Sequence, residues 1–309
     1  MDEPELSIVV PCFNEGPTVN LFYKAVETIK EHLPTYQYIF VDDGSKDDTL
    51  NELKALAKKN ENVHYISFSR NFGKEAALFA GLKHANTPFT AIMDADLQDP
   101  PEMLVKMLQK LKQEQVDVVV SRRSDRDGEN IIISALSHMY YYVANKLSTV
   151  KMEPDTRDFR VMRKIVVDTF VNMQESSRFA KGLFSWEGFK ISYVSYPNQK
   201  RIAGESHWGF RKLVKYALTG VMDFSQTPLK LAIYLGTFFF IASIIGFIYV
   251  IIRKLLDPTI AVRGWTSLAA LILMIGSLNL LCLGIIGSYI SKIYQQVKKR
   301  PIYIVREEK

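Results

Sequence analysis

With 309 residues, 48% of them apolar and 23% charged, the chain can form one large domain or two small ones and is neither a disordered tail nor a fibrous repeat. Two distant cysteines, Cys12 and Cys282, exclude a disulfide framework and a Cys-based zinc site, and the five histidines show no ligand spacing. The formal charge of +6 would suit nucleic acid, but the cations gather around two apolar segments near the C-terminus, so no nucleic-acid partner is expected.

In chain order, Leu6–Val10 is a short apolar run closed by Pro11, the pattern of a buried strand. Pro17 opens a helical pattern with Leu21, Phe22, Ala25, Val26 and Ile29 on one face. Tyr36–Val41, Val63–Phe68, Phe89–Met93 and Val116–Val120 read as further strands, with helical stretches from Asp47 to Lys59, from Gly73 to His84 and from about Pro101. This alternation predicts an α/β fold with a mostly parallel sheet covered by helices on both faces, and ligands bound beyond the carboxyl ends of its strands. Residues 130–226 are less regular; Trp208–Phe224 is a basic amphipathic segment expected to lie at a membrane interface.

The mean hydropathy of −0.01 averages over an abrupt change of character. No charge occurs in the 22 residues from Leu231 to Ile252 or in the 28 from Gly264 to Ser291. As a helix the first would reach roughly 33 Å, against a hydrocarbon core of about 30 Å, so two transmembrane helices are expected. The acidic start, Met1–Glu5, lacks the apolar core of a signal peptide, and basic residues follow Lys292 and precede Lys230. The sequence therefore predicts a multi-pass cell-membrane protein whose soluble domain and both termini are cytoplasmic.

Asp94-Ala95-Asp96 is the central chemical signal. Two carboxylates at i and i+2 beyond a strand can hold Mg²⁺ or Mn²⁺ between the protein and a diphosphate. The chain has neither Gly-x-Gly-x-x-Gly nor a Walker lysine motif, which removes support for classical dinucleotide and P-loop sites.

Further strings accompany it: Pro11-Cys12-Phe13-Asn14-Glu15 after the first strand, Val41-Asp42-Asp43-Gly44-Ser45 after the second, then Ser69–Ala76, Met93–Pro100, Asp158-Phe159-Arg160, Arg178–Gly182 and Gly204-Glu205-Ser206. In order and spacing, together with the two C-terminal apolar segments, they resemble glycosyltransferase family 2 on a GT-A (Rossmann-like) fold. Within it they resemble the polyprenyl-phosphate subfamily, which includes bactoprenol glucosyltransferases and dolichol-phosphate mannose synthases. The likeness covers nearly the whole chain.

The resemblance implies a nucleotide-sugar pocket lined by Pro11, Asn14, Glu15, Asp42, Asp43, Lys74, Asp94 and Gln98, with Asp43 reading the base. It makes Asp94 and Asp96 the catalytic metal carboxylates, Asp96 as the direct ligand, and Asp158 the third catalytic carboxylate. Because a lipid phosphate is largely dianionic at neutral pH, Asp158 is expected to orient a nearby arginine or take a residual proton. Arg122, Arg123, Arg126, Ser137 and Arg201 are the candidates to grip the acceptor phosphate, since arginine offers a planar fork of donors.

The implied reaction is metal-dependent, inverting transfer of one hexose, glucose or N-acetylglucosamine, from a UDP-sugar to undecaprenyl phosphate at the bilayer surface, for cell-envelope glycan modification. The family allows a homotetramer. Gln199-Lys200-Arg201 departs from the Gln-x-x-Arg-Trp of processive polysaccharide synthases, and two spans leave little protein for a polymer channel. A catalytically silent nucleotide-sugar-binding scaffold is the remaining alternative. The expected layout is a catalytic domain over 1–205, a juxtamembrane amphipathic helix over 206–228, a transmembrane hairpin over 229–291 and a basic cytoplasmic tail over 292–309.

Overall fold

Alternation along the first strand decides how the layers form. In the computed structural model, which describes residues 3–123, 145–146, 151, 153, 156–173, 175, 178–196, 227–256 and 264–309, the chain begins with β1 (Leu6–Cys12) and α1 (Gly16–Glu27). It continues through β2 (Tyr36–Asp42), α2 (Thr49–Lys59), β3 (Val63–Phe68), α3 (Lys74–His84), β4 (Phe89–Ile92), α4 (Glu102–Gln113) and β5 (Val118–Arg123). Then come β6 (Thr156–Arg163), α5 (Lys164–Asn172), α6 (Ala180–Trp186), β7 (Ile191–Tyr196), α7 (Thr227–Leu256), α8 (Trp265–Val297) and β8 (Val305–Glu308).

Leu6, Ile8, Val10 and Cys12 of β1 join the core under α1, α2 and α4, whereas Val9 joins the opposite core under α3, α5 and α6. Period 2 on a strand buried on both faces produces the unbroken apolar run seen in the sequence. The second core is tight. A Cβ on Gly81 would come within 2.3 Å of Val9 Cγ1, so only glycine lets α3 lie this close to β1.

The eight strands run in the order β7-β5-β6-β4-β1-β2-β3-β8. The expected alternation holds for the parallel centre, β3-β2-β1-β4. Beyond it the sheet is mixed rather than mostly parallel, because β6 starts level with the end of β5 and runs back antiparallel to both β5 and β4. With Arg157 and Asp158 in its first half and Arg160 just after, β6 has none of the continuous apolar pattern that marks a buried strand in sequence.

The segment expected as a basic tail carries structure of its own. Residues up to Val297 continue α8, and β8 adds an antiparallel edge strand to β3, with Ile66 opposite Glu308 and Phe68 opposite Val305. Tyr303 stacks on Phe68 with ring centroids 4.9 Å apart, and Glu307 pairs with Lys54 at 2.7 Å. The charged alternation that looks like a solvated tail is also what a half-exposed edge strand carries.

Both expected apolar segments lie within long helices, α7 and α8. Among the described residues, Met274–Val297 is long and apolar enough to cross a membrane, at a hydropathy of 1.6, while the apolar stretch of α7 is the shorter Ala232–Gly246. A Cβ on Gly276, Gly284 or Gly287 would meet nothing within 4 Å, so among the described residues these glycines mediate no close helix approach. The amphipathic helix expected over 206–228 lies outside the described residues, save for Thr227 and Pro228 at the start of α7.

Candidate active site

Strand register brings the site together. Ile92 of β4 pairs with Arg160 of antiparallel β6, so continuing two residues along each chain brings Asp94 level with Asp158. Val9 pairs with Ile92, and Cys12 pairs with Asp42, which places the loops after β1, β2 and β4 on the same rim.

Between Asp94 and Asp158 stands Lys74, at the start of α3. Its Nζ lies 2.8 Å from Asp94 Oδ1, 2.9 Å from Asp94 Oδ2 and 2.6 Å from Asp158 Oδ2. Lys181 of α6 approaches Asp158 Oδ1 at 4.0 Å and donates to the Thr156 carbonyl. Burial alone would raise the Asp158 carboxyl, but Lys74 and then Lys181 hold it well below the ordinary range. Desolvation, with the Asp158 charge beside it, raises Asp94 despite Lys74. Lys74 rises above an ordinary lysine because the two carboxylates outweigh its own desolvation. Desolvation lowers Lys181, which Asp158 only partly offsets.

These contacts bear on two expectations. The Asp158 carboxylate is flanked by two lysines, Lys74 and Lys181, while Arg160 donates its Nε to the Asp158 backbone carbonyl. A carboxylate held this low is also a poor proton acceptor.

The loops after β1 and β2 are laced together. Asn14, at φ 55°, donates its N–H to Ser45 Oγ at 2.9 Å and accepts from the Lys46 N–H through Oδ1 at 2.9 Å. The Glu15 N–H donates to Thr49 Oγ1 at 2.8 Å, and Pro11, just before them, is the one half-buried residue of the otherwise buried β1. Asp42 accepts from the Ser45 N–H and from Ser67 Oγ. Asp43 accepts from the Phe72 N–H at 2.6 Å and the Gly73 N–H at 2.9 Å, yet burial still pushes its carboxyl up to about 6. The carboxylate expected to read a base is thus already oriented by two backbone donors. Gly44, at φ 65°, makes this possible: a Cβ there would sit 2.3 Å from the Arg70 backbone.

Asp96 Oδ1 accepts from the Gln98 N–H, and Gln98 Oε1 accepts from Arg157 at 3.0 Å. Arg157 Nε also lies 3.5 Å from buried Asp99, whose carboxyl burial pushes up to about 7. Asp94 and Asp96 are hard oxygen donors next to one another at a rim, a set that fits Mg²⁺ or Mn²⁺ completing its shell with phosphate and water. No cluster of three or more metal-ligating side chains occurs among the described residues, so a cation here would rest mainly on these two.

Sequence reasoning missed Lys181, Arg157 and Glu75 as site residues. Glu75, pushed up to about 7 by burial and the Asp158 charge, accepts from the Ala180 N–H and ties α3 to α6 beside Lys181. All three sit next to, or inside, strings already noted for the resemblance. Of the phosphate-gripping candidates, Arg122 lies half-buried at the end of β5, and Arg123 closes that strand. Arg126, Ser137 and Arg201 lie outside the described residues.

Residues 7–171 match the model of glycosyl transferase family 2, and residues 227–293 match that of the GtrB C-terminal hairpin. The chain belongs to glycosyltransferase family 2. The relatives of this family 2 chain agree over its whole length. It is 40% identical over 308 residues to the CsbB protein of Bacillus subtilis (strain 168), covering 99% of this chain and 93% of the relative. It is 39% identical to the bactoprenol glucosyl transferase of Shigella phage SfV over 306 residues, and to the prophage bactoprenol glucosyl transferase homolog of Escherichia coli (strain K12) over 310, covering 99% of each chain in both cases. The polyprenyl-phosphate subfamily read from the motifs is therefore the right one.

Proposed function

We propose that this family 2 enzyme transfers a single hexose from a UDP-sugar to undecaprenyl phosphate at the cytoplasmic membrane face, with inversion to a β-linked product that serves cell-envelope glycan modification. The observation that carries this reading is the rim where Asp94, Asp96, Lys74 and Asp158 meet, on a chain that also carries the hairpin helices. Glucose is preferred over N-acetylglucosamine, because relatives matching end to end carry the name bactoprenol glucosyl transferase.

Connectivity supports a two-span hairpin. The edge strand β8 follows α8 but pairs with β3, which precedes α7. This pairing favours an even number of bilayer crossings between them, and in the proposed topology α7 and α8 cross together with the sheet and both ends of the chain on one side.

In the proposed reaction the loops after β1 and β2 (Pro11, Asn14, Glu15, Asp42 and Asp43) hold the nucleotide. Asp94 and Asp96, with Gln98 behind them, would hold Mg²⁺ or Mn²⁺. A bound divalent cation would offset the charge developing on the departing diphosphate. The acceptor phosphate, whose second pKa is about 6, attacks the anomeric carbon without needing a base. Asp158 accordingly positions Lys74 and Lys181, and arginines near the end of β5, Arg122 first, receive the acceptor phosphate. Holding both substrates at one depth of the interface supplies proximity.

The test is transfer of radiolabelled sugar into an undecaprenyl-phosphate organic phase by the full chain in detergent, with Mn²⁺ and either UDP-glucose or UDP-N-acetylglucosamine. Label from UDP-glucose should appear in the organic phase. Asp96→Ala should lower the rate by about a thousandfold, the scale of losing a main charge-stabilising group, with unchanged circular dichroism. An Asp96→Ala protein as active as the wild type would contradict the proposed site.

A further inference from the structure

Lys74 is bound in a way that nucleotide recognition alone does not explain. An ammonium has three N–H donors. Here three carboxylate oxygens, both of Asp94 and one of Asp158, surround Nζ at 2.6 to 2.9 Å. Two of the lysine's three donors are thus spent on hydrogen bonds to protein carboxylates, Asp94 Oδ2 and Asp158 Oδ2. Asp94, conversely, turns both oxygens toward an ammonium while also being a carboxylate suited to a divalent cation.

We propose that Lys74 is a built-in counter-cation that occupies the carboxylate site until a divalent cation arrives together with a nucleoside diphosphate, and then moves from Asp94 onto that diphosphate. This rests on the functional reading above and adds an order of events to it. A divalent cation arriving alone must approach an ammonium a few ångströms away, a like-charge repulsion that a partly buried site screens only weakly. It also has to pull Asp94 from the lysine and offers the lysine nothing in return. A divalent cation arriving with a diphosphate brings new acceptors for the displaced ammonium. Cation and nucleotide are thus coupled through Lys74, and the coupling is reciprocal: each tightens the other by the same factor. Asp158 and Glu75 fit the exchange. Asp158 keeps one bond to Lys74 while Asp94 is released, and Glu75, on the next residue, fastens this end of α3 to the Ala180 N–H.

The experiment is Mn²⁺ binding to the full chain in detergent, followed by electron paramagnetic resonance with and without saturating UDP. In the wild type UDP should tighten Mn²⁺ by about tenfold or more, the least that a coupling of about 1.4 kcal/mol gives. Lys74→Met should bind Mn²⁺ more tightly without UDP and less tightly with it, two changes of opposite sign that a merely structural lysine would not produce. Lys74→Arg, which keeps the charge, should stay close to the wild type without UDP. The proposal is overturned if UDP leaves wild-type Mn²⁺ affinity unchanged, a result that needs no variant to fold, or if Lys74→Met shifts both affinities in the same direction. Wild-type protein that binds no Mn²⁺ even with UDP would instead sink the metal-dependent sugar-nucleotide reading itself.

Discussion

The sheet domain and the C-terminal hairpin use the same kinds of apolar side chain in opposite ways. In the sheet, Leu6, Ile8, Phe22, Phe40 and Leu82 are at most 1% exposed, and each contributes by filling space between the layers. In the helices, Tyr234, Phe240, Leu256 and Leu280 are 67% to 78% exposed, and α8 stays apolar on nearly every side. A helix that is apolar all round is matched to an apolar solvent rather than to a protein core. The lesson is that apolar composition alone does not say what a segment packs against, and that the candidate site is held by the part with the sealed core.

The largest expected effect contrasts Leu82→Ala with Leu280→Ala in the detergent-solubilised protein. Leu82 lies in the sealed core beneath the sheet, so its truncation should cost about 2–5 kcal/mol and lower the melting temperature sharply. Leu280→Ala should shift melting little, because detergent already fills the space around that side chain. Equal losses at both positions would mean that α8 is packed against protein, and the contrast between the two regions would fail.

A smaller effect separates the regions by pH. Burial pushes Glu187, at the end of α6, up to about 8, and neither of its carboxylate oxygens finds a hydrogen-bond donor among the described residues, although Arg160 and Arg178 partly offset the shift. Glu75 and Asp99, each at about 7, are shifted the same way. A carboxyl raised in the folded state binds its proton more tightly folded than unfolded, where its pKa is about 4. Stability should therefore fall as pH rises from about 4.5 toward 8 and level off above that. Asp158, which is held low, adds stability that is lost only below about pH 4, outside this window. Glu187→Gln cannot ionise, so its melting temperature should exceed that of the wild type at pH 8.5 and match it near pH 5. A gain of the same size at both pH values would place the effect in packing instead of charge.

Much of this was legible in the sequence. The central parallel strands announced themselves as apolar runs, and the acidic strings fell at their carboxyl ends because β1, β2 and β4 all finish on one rim. The residues less easily read are those whose roles depend on distant partners. β6 hides because its first half is charged, and its antiparallel register is what sets Asp158 beside Asp94. β8 hides because an edge strand needs only half its side chains to be apolar, and Val305-Arg306-Glu307-Glu308 looks solvated. Lys74 carried a phosphate-binding expectation from its motif, but only three-dimensional placement shows it clasped between two carboxylates.

The central claim is that the rim and the membrane helices serve one reaction, in which a sugar leaves UDP for a lipid phosphate. The most direct measurement is UDP release by the full chain with UDP-glucose and Mn²⁺, made with and without undecaprenyl phosphate. Release that rises with the lipid phosphate and saturates is the predicted result. Release of the same rate without lipid, or none with it, would contradict the account.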